Sequence, residues 1–579
     1  YIKTLTLNVE GNNMVSFDET SKSLTVPGVG ESETEFVITV GEKTGIATIK
    51  VTASGGGETA SYDMEIDVRS PNPPETRAEM KIIKPAETWE TSFTPFGIEG
   101  SNSAILEAST LPSVNLEKHM NYLLNFPHGC SEQIISTAFP QIWLKNMSGN
   151  DAGIAGDAAS NIREAINKLV TRQMNNGGIA LWPGAMQPDN WVTTYAGHFL
   201  IEAERAGHAI PSALRQKLID YQKKTSRDWR YDVKFRQSAN DQAYRLFTLA
   251  LAGEAERGAM NRLRESDEIP QLSRWLLAAA FAVSGRAEVA EDLLDLRNTG
   301  TEADYQGYYY GSFIRDKAII LYTLTILKKE EQALTLLKII CDNLGSDAWY
   351  STQSLAWGLL SYMKYAEMIP GDKSTPAKIS LILNGDRSDH TVQTKQILSK
   401  ELKMTGGNNR LLIRNTSDKP VYVNLLRKGV PLTSDKVRDE KGLGMKVDYV
   451  NMDLKLIDQK NLEQGTDFMM IVKVTNNTFT RVDNIALTQM VSSGWEIQNT
   501  RLFEANYGIK ENVYDYRDFR DDRVNTYFSL GEGETKTFVL ILNASYKGEF
   551  LQPSLWCEAM YTENCYSRYP GNSVKVTGR

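Results

Sequence analysis

The spacing of apolar positions divides the 579-residue chain into three regimes. Over residues 1–72 apolar and polar positions alternate between turn residues, which predicts strands. Segments 36–40 and 46–51 read as a hairpin around a 41–45 turn, and 62–68 as a further strand. The region is expected to be a small β-sandwich that lacks some of its first strands. The Ser-Pro-Asn-Pro-Pro run at 70–74 is a stiff linker. Residues 75–111 are again strand-like at 79–83 and 104–108, but too short for a domain of their own.

The period then changes. Across 113–366 the pattern is helical, as where Ile162, Ala165, Ile166, Leu169 and Val170 share one face. Comparable faces recur near 191–206, 211–223, 238–252, 256–266, 270–283, 286–296, 311–327, 329–342 and 350–365. With two segments around residue 130 this makes about twelve helices, which suits an α/α toroid of six helical hairpins better than an irregular bundle. After 370–372 the alternation returns at 378–383, 391–397, 410–414 and 421–425. The simplest account makes 75–111 and 376–435 two parts of one β-domain with the helical unit inserted between them. A last β-domain follows over 445–579, with strands at 469–475, 537–542 and 573–576. The expected fold class is multidomain α+β.

Composition narrows the function classes. A net charge of -8 offers no basic footprint for nucleic acid. No apolar run approaches a membrane span and no signal peptide is visible. The chain starts at Tyr1 inside a strand-like segment, so it reads as excised from a longer protein, with any targeting signal upstream. Of four cysteines, Cys130 and Cys341 stand alone, while Cys557 and Cys565 would make either a small disulfide or two free thiols. No Cys/His spacing suits zinc, and no cofactor is expected. Sequons at Asn146, Asn415, Asn476 and Asn543 decide nothing in a chain this long.

The chemistry concentrates at 127–133, Pro-His-Gly-Cys-Ser-Glu-Gln, ahead of an apolar, helix-like run at 134–144. If that helix reaches back to Cys130, the i, i+3 spacing puts the Cys130 thiol and the Gln133 carboxamide on one face, about 5–6 Å apart at Cβ. The sulfur can then attack the amide carbon, expel ammonia and leave an internal thioester. A single buried cysteine is also ordinary packing, and the spacing alone allows both. Glu132 would point to another face, as a solvated or capping carboxylate or in a conformational role. Gly129 would supply a turn or a close approach that a Cβ blocks. His128 opens the option of a Cys–His dyad, although sequence neighbours seldom hold that geometry. A competing enzyme reading, a carbohydrate-active toroid, would use Asp189, Asp241 and Asp304-Tyr305, but no convincing carboxylate pair stands out. Trp182, Trp191, Trp349 and Trp357 either line a toroid cavity or fill a core, the core being the better expectation.

The domain order, wrapped around Gly129, Cys130, Glu132 and Gln133, resembles the alpha-2-macroglobulin and complement thioester-protein family, specifically its bacterial branch. Companion motifs lie at 177–183 (GGIALWP), 191–195 (WVTTY), 310–316 (YGSFIRD), 350–353 (YSTQ), 516–524 (YRDFRDDRV) and 558–561 (EAMY). By that likeness 1–72 is a macroglobulin-type sandwich, and 75–111 with 369–440 a CUB-like domain. Residues 112–368 are then the thioester domain and 445–579 the terminal macroglobulin domain.

The resemblance implies a single-use covalent protease trap rather than a turnover enzyme. A protease cuts a bait region upstream, the Gln133 carbonyl acylates a lysine of the attacker, and Cys130 is left as a free thiol. It further implies a monomer in the bacterial cell envelope, periplasmic or as a surface lipoprotein, touching membrane only through a missing N-terminal anchor. In several complement-type members a histidine well past the cysteine redirects attack to hydroxyls. The histidines here are His119, His128, His198, His208 and His390, with none between 209 and 389, so amines are the expected acceptors. Phe126 occupies the place of a shielding tyrosine, able to exclude water but without a phenol hydrogen bond, and His128 is counted with it as a shield candidate. The aromatic stretch 507–528, with Tyr514, Tyr516 and Phe519, is expected to cover the thioester from the last domain, and the charges of 517–523 to form a salt-bridged loop. A surface adhesin that kept the fold and lost the bond is the remaining alternative.

Overall fold

A computed structural model of the chain describes residues 3–70, 72, 74–147, 157–296, 298–300, 310–346, 348–369, 375–431, 438–498 and 508–578. In the first region Ser21–Thr25, Thr4–Gly11, Gly45–Gly55 and Glu58–Val68 form one antiparallel sheet, in that order. Val15–Phe17 and Ile38–Val40 pair beside it. The expected hairpin between 36–40 and 46–51 is therefore wrong. The Gly41 N–H is bound by the Met14 carbonyl at 2.8 Å, which sends the chain onward instead of back. The real hairpin joins Gly45–Gly55 to Glu58–Val68, where Gly56 and Gly57 both take positive φ, as a two-residue turn on right-twisted strands requires.

The second sandwich is built from chain on both sides of the helices. One sheet runs Asp386–Val392, Ala377–Leu383, Asn409–Asn415, Thr88–Phe93; the other runs Ile397–Glu401, Ser103–Ser109, Val421–Gly429, Glu75–Ile83. Its core includes Ile83, Phe93, Leu106, Ile379, Leu411 and Val423.

Between them lie thirteen described α-helices: α1 (Leu116–Leu124), α2 (Ser131–Ala138), α3 (Gln141–Met147), α4 (Ala158–Arg172), α5 (Asn190–Arg205), α6 (Ser212–Asp228), α7 (Ser238–Leu251), α8 (Arg257–Arg264), α9 (Gln271–Val283), α10 (Ala287–Asp292), α11 (Phe313–Ile326), α12 (Glu330–Leu344) and α13 (Thr352–Met368). The apolar run at 134–144 is not one helix. Pro140 has no N–H to continue the ladder, and the chain turns there between α2 and α3. Helices α2, α5, α7, α9, α11 and α13 close into a ring, each packed on the next and α13 back on α2. Almost every residue of α5, α7 and α13 is buried, whereas α4, α6 and α12 bury a single stripe, as inner and outer layers of a toroid should.

The inner helices all begin at the same end. Glu132 of α2 is bonded by Thr352 of α13, Trp191 of α5 by Gln353 of α13, and Asn240 of α7 by Ser273 of α9. Tyr310, just before α11, donates to Asp189, the N-cap of α5. Cys130 stands at this end.

The last region holds a six-stranded sheet in the order Asp439–Lys441, Tyr566–Tyr569, Leu555–Ala559, Val482–Met490, Arg523–Leu530, Tyr516–Phe519. A four-stranded sheet containing Leu443–Asn451 and Asp467–Asn476 packs on one of its faces around Phe468, Val472, Leu487, Phe528 and Leu540. The opposite face of the six-stranded sheet is turned to the start of the helical ring.

Candidate functional site

Cys130 lies just outside α2, as its N-cap, with extended backbone (φ -69°, ψ 164°). The expectation of a helix reaching back to Cys130 is corrected by one residue, and the correction changes the geometry. The Cys130 sulfur accepts from the Gln133 backbone N–H, and the Gln133 Oε1 accepts from the Cys130 N–H at 3.1 Å. This reciprocal capping box brings thiol and carboxamide together across the first turn without both riding one helical face. Cys130 is a free cysteine, and both side chains are sealed from water, at 0% and 1% exposure. The Gln133 amide donates through Nε2 to the Met560 sulfur at 3.1 Å.

The walls come from two places. Within the helical unit, the segment before α5 folds against residue 131. The Ser131 N–H and hydroxyl bond the Leu181 and Ala180 carbonyls at 2.9 and 2.6 Å, and Arg172 ties the Leu181 and Gly129 carbonyls. This sets Leu181 and Trp182 over the sulfur. From the six-stranded sheet come Ala486, Tyr516 and Tyr527, and from the turn after its strand Leu555–Ala559 come Met560 and Tyr561. Strand register explains the choice. Tyr516 pairs with Tyr527, Tyr527 with Ala486 and Ala486 with Glu558, so one transverse row crosses the outer face. Trp182 lies on that row, 4.1 Å from the Tyr527 centroid and stacked 5.1 Å from Tyr516.

That register sorts the shield candidates. Tyr516 belongs to the pocket. Phe519, three residues along the same strand, faces the other way into the core of the last domain, because side chains alternate. Tyr514 also packs on that core, with the Arg517 guanidinium 4.3 Å from its ring. Phe126 is one layer out, edge-on to His128 at 5.2 Å, and His128 is edge-on to Tyr527 at 5.3 Å. Tyr527 belongs to the 507–528 stretch expected to cover the site, whereas Trp182, Met560, Tyr561 and Tyr310 are missing from the expected shield. Trp182 was expected in a core and Met560-Tyr561 appeared only as a motif.

Glu132 is not solvated. It is fully buried, and both oxygens are engaged, by Ser136, by Thr352 at 2.8 Å and by Tyr561 at 2.5 Å. Burial lifts its carboxyl above the ordinary range against the pull of those hydroxyls. Burial, and next the Glu132 charge, push the Cys130 thiol up to about 12, so the sulfur holds its proton. The Tyr561 hydroxyl touches both groups, lying 3.4 Å from the Cys130 sulfur.

Two other expectations fail. A Cβ on Gly129 would meet nothing within 4 Å, and its φ is not positive, so neither a tight turn nor a close approach requires glycine there. His128 forms no dyad with Cys130. Its Nδ1 meets the Tyr527 hydroxyl at 2.9 Å and its Nε2 lies 3.9 Å from Glu558.

The remaining candidates lie elsewhere. His198 sits inside the helical ring between the Tyr244 and Tyr322 hydroxyls, and burial lowers it to about 3. Asp189 caps α5 through the Val192 N–H, and Asp241 lies in the first turn of α7, pushed up to about 7 by burial. Asp304 and Tyr305 lie outside the described residues. Trp191 and Trp357 are core residues, and Cys557 and Cys565 are both free. Arg517, Arg520 and Arg523 pair with Glu511, Asp518 and Asp522, and Arg520 also donates to the Pro127 carbonyl at 3.1 Å. No group of acidic, His or Cys side chains able to hold a metal is found among the described residues.

Residues 442–564 match the family described as the bacterial alpha-2-macroglobulin MG10 domain. The alpha-2-macroglobulin of Escherichia coli strain K12 is 25% identical over 93% of this chain and 33% of its own length. That of Xylella fastidiosa strain Temecula1 is 22% identical over 96% of this chain and 35% of its own. The chain thus spans about a third of the length of these curated relatives. Among solved structures, native alpha-2-macroglobulin from E. coli, spanning domain MG7 to the C-terminus, superposes with a TM-score of 0.81 at 20% identity, over 100% of this chain and 95% of that one. Salmonella alpha-2-macroglobulin reacted with methylamine gives 0.81 at 21% identity, over 100% of this chain and 39% of that one. Both share the fold.

Proposed function

We propose that this chain, a member of the bacterial alpha-2-macroglobulin family, is the reactive part of a covalent protease trap. Cys130 and Gln133 form the internal thioester. After a protease cuts a bait region elsewhere in the protein, the Gln133 carbonyl acylates a lysine amine of the attacker and Cys130 becomes a free thiol. In this reading 1–72 and 445–579 are macroglobulin domains, 75–111 with 369–440 is CUB-like, and 112–368 is the thioester domain.

One observation carries the reading: the reciprocal cap of Cys130 and Gln133 inside a pocket sealed by a second domain. A thioester needs no cofactor, but water destroys it, so it must be sealed until wanted. The aromatic row supplies such a seal, and moving the last domain away would open it. The Salmonella relative of the same fold was reacted with methylamine, the chemistry expected of an accessible thioester. Direct attack by amines fits the histidines near the site, since His128 is held by Tyr527 and Glu558 and His198 is buried between two tyrosines. We place the protein in the bacterial cell envelope as a monomer; no helix among the described residues is long and apolar enough to cross a membrane.

Intact mass spectrometry tests the reading. A closed thioester lowers the mass by about 17 Da, one ammonia. Methylamine then adds and frees a Cys130 thiol, and it labels in preference to glycerol. Full mass with no amine adduct rejects the trap, and dominant glycerol adducts reject the amine preference.

A further inference from the structure

Thioester formation is a reaction that the chain carries out on itself, and it has a proton to move. The thiol must lose one and the departing amide nitrogen must gain one. The thiol is pushed up to about 12 and is sealed from bulk solvent, so ionisation toward solvent does not serve. Among the described residues the hydroxyl that meets the sulfur is that of Tyr561, 431 positions further along the chain, in the last domain. The same hydroxyl donates at 2.5 Å to Glu132, which also takes bonds from Ser136 and Thr352. Glu132 lies in the first turn of α2, and Thr352 opens α13, so the starts of two helices also favour its negative form.

We propose that Tyr561 and Glu132 form a proton relay that closes the thioester, with Tyr561 the catalytic residue and Glu132 a positioning residue that acts through it. The relay rests on the trap reading above. The Cys130 S–H proton passes to the Tyr561 oxygen as the Tyr561 O–H proton passes to Glu132. The sulfur bonds to the Gln133 side-chain carbonyl carbon. The proton then returns through the same hydroxyl to the amide nitrogen, the C–N bond breaks, and ammonia leaves. One S–H and one C–N bond are exchanged for one S–C and one N–H bond, and Glu132 ends as it began. The Met560 sulfur, accepting from the amide at 3.1 Å, holds the leaving nitrogen in place. Because the relay hydroxyl belongs to the last domain, the bond closes only once that domain is docked. The reactive group is therefore made inside the seal that protects it.

The test uses the full chain with Tyr561→Phe, Glu132→Gln and Glu132→Asp, reading intact mass and the peptide that carries residue 133. Tyr561→Phe keeps the ring that packs edge-on to Tyr310 at 4.5 Å and so keeps the seal. Loss of the relay leaves residue 133 as unreacted glutamine. Loss of the seal alone closes the bond and then hydrolyses it, leaving glutamate, about 1 Da heavier than the unreacted chain. The expectation is at least a tenfold smaller closed fraction in Tyr561→Phe and Glu132→Gln, with glutamine at 133, normal melting, and partial rescue by Glu132→Asp. Closure at the wild-type level in Tyr561→Phe, or glutamate at 133 in the variants, overturns the relay while leaving the trap standing. A wild-type chain without the mass loss overturns both.

Discussion

Cys130 and Cys341 are the same residue in nearly the same degree of isolation, and only one of them is equipped for chemistry. Both are buried free thiols in the helical unit, and burial lifts both well above the ordinary thiol range. Cys341 sits in α12, its thiol donating to the Pro112 carbonyl at 3.6 Å, with core side chains around it. Cys130 has a carboxamide capped against it, a phenol on its sulfur, a buried carboxylate behind the phenol and a thioether on the amide. Burial shields a sulfur in both places. Partners from a second domain reach Cys130.

The comparison breaks first on substitution. Cys130→Ser should abolish the 17 Da loss (about one ammonia) and all methylamine uptake, while Cys341→Ser leaves both intact by mass spectrometry. It sharpens on thiol chemistry. In a Gln133→Ala chain, which cannot close the bond, iodoacetamide should modify both thiols roughly 1000-fold more slowly at pH near 8 than in the unfolded chain, because the thiolate is suppressed. The sign for stability follows. The folded Cys130 keeps its proton to about 12 where an ordinary thiol gives it up near 9.0, so the native state binds more protons in that window and loses stability as pH rises through it. Urea melts at pH 8 and 10 check this. Next in size is the seal. Trp182→Ala removes the ring that stacks on Tyr516 and Tyr527, and glutamate at residue 133 should accumulate at least tenfold faster during storage. The smallest effect is Cys341→Ala, a lost sulfur in a packed core, costing about 1 kcal/mol by denaturant melting with no change in thioester lifetime.

The helical ring was legible because each outer helix buries one stripe and each inner helix nearly all of its surface. Periodicity carries that directly, and it placed most helices to within a few residues. The 134–144 run was misjudged where apolar continuity outweighed Pro140. The strand order of the first sandwich was not legible, because pairing depends on which sheet a loop crosses to. At the site, the spacing of Cys130 and Gln133 allowed the proposed chemistry, but from a local geometry one residue off the one found. Phe519 was avoidable, since two residues three apart on a strand face opposite ways. Glu132 was beyond reach. A carboxylate at a helix start is ordinarily wet, and the hydroxyls that keep this one dry include Thr352 and Tyr561, 220 and 429 positions away.

The six inner helices that all begin at one end have an electrical consequence. Each helix start is a partial positive pole, and a ring of like poles repels itself. Four of the six carry a carboxylate at the cap or in the first turn: Glu132 on α2, Asp189 on α5, Asp241 on α7 and Asp316 on α11. The acids that resemble the makings of an active site are spread one to a helix, as counter-charge. Neutralising any of them leaves one pole uncompensated and raises the field felt by the other three. At the ring's mouth the Glu132 charge, which the Cys130 sulfur feels directly, is one part of that shared balance.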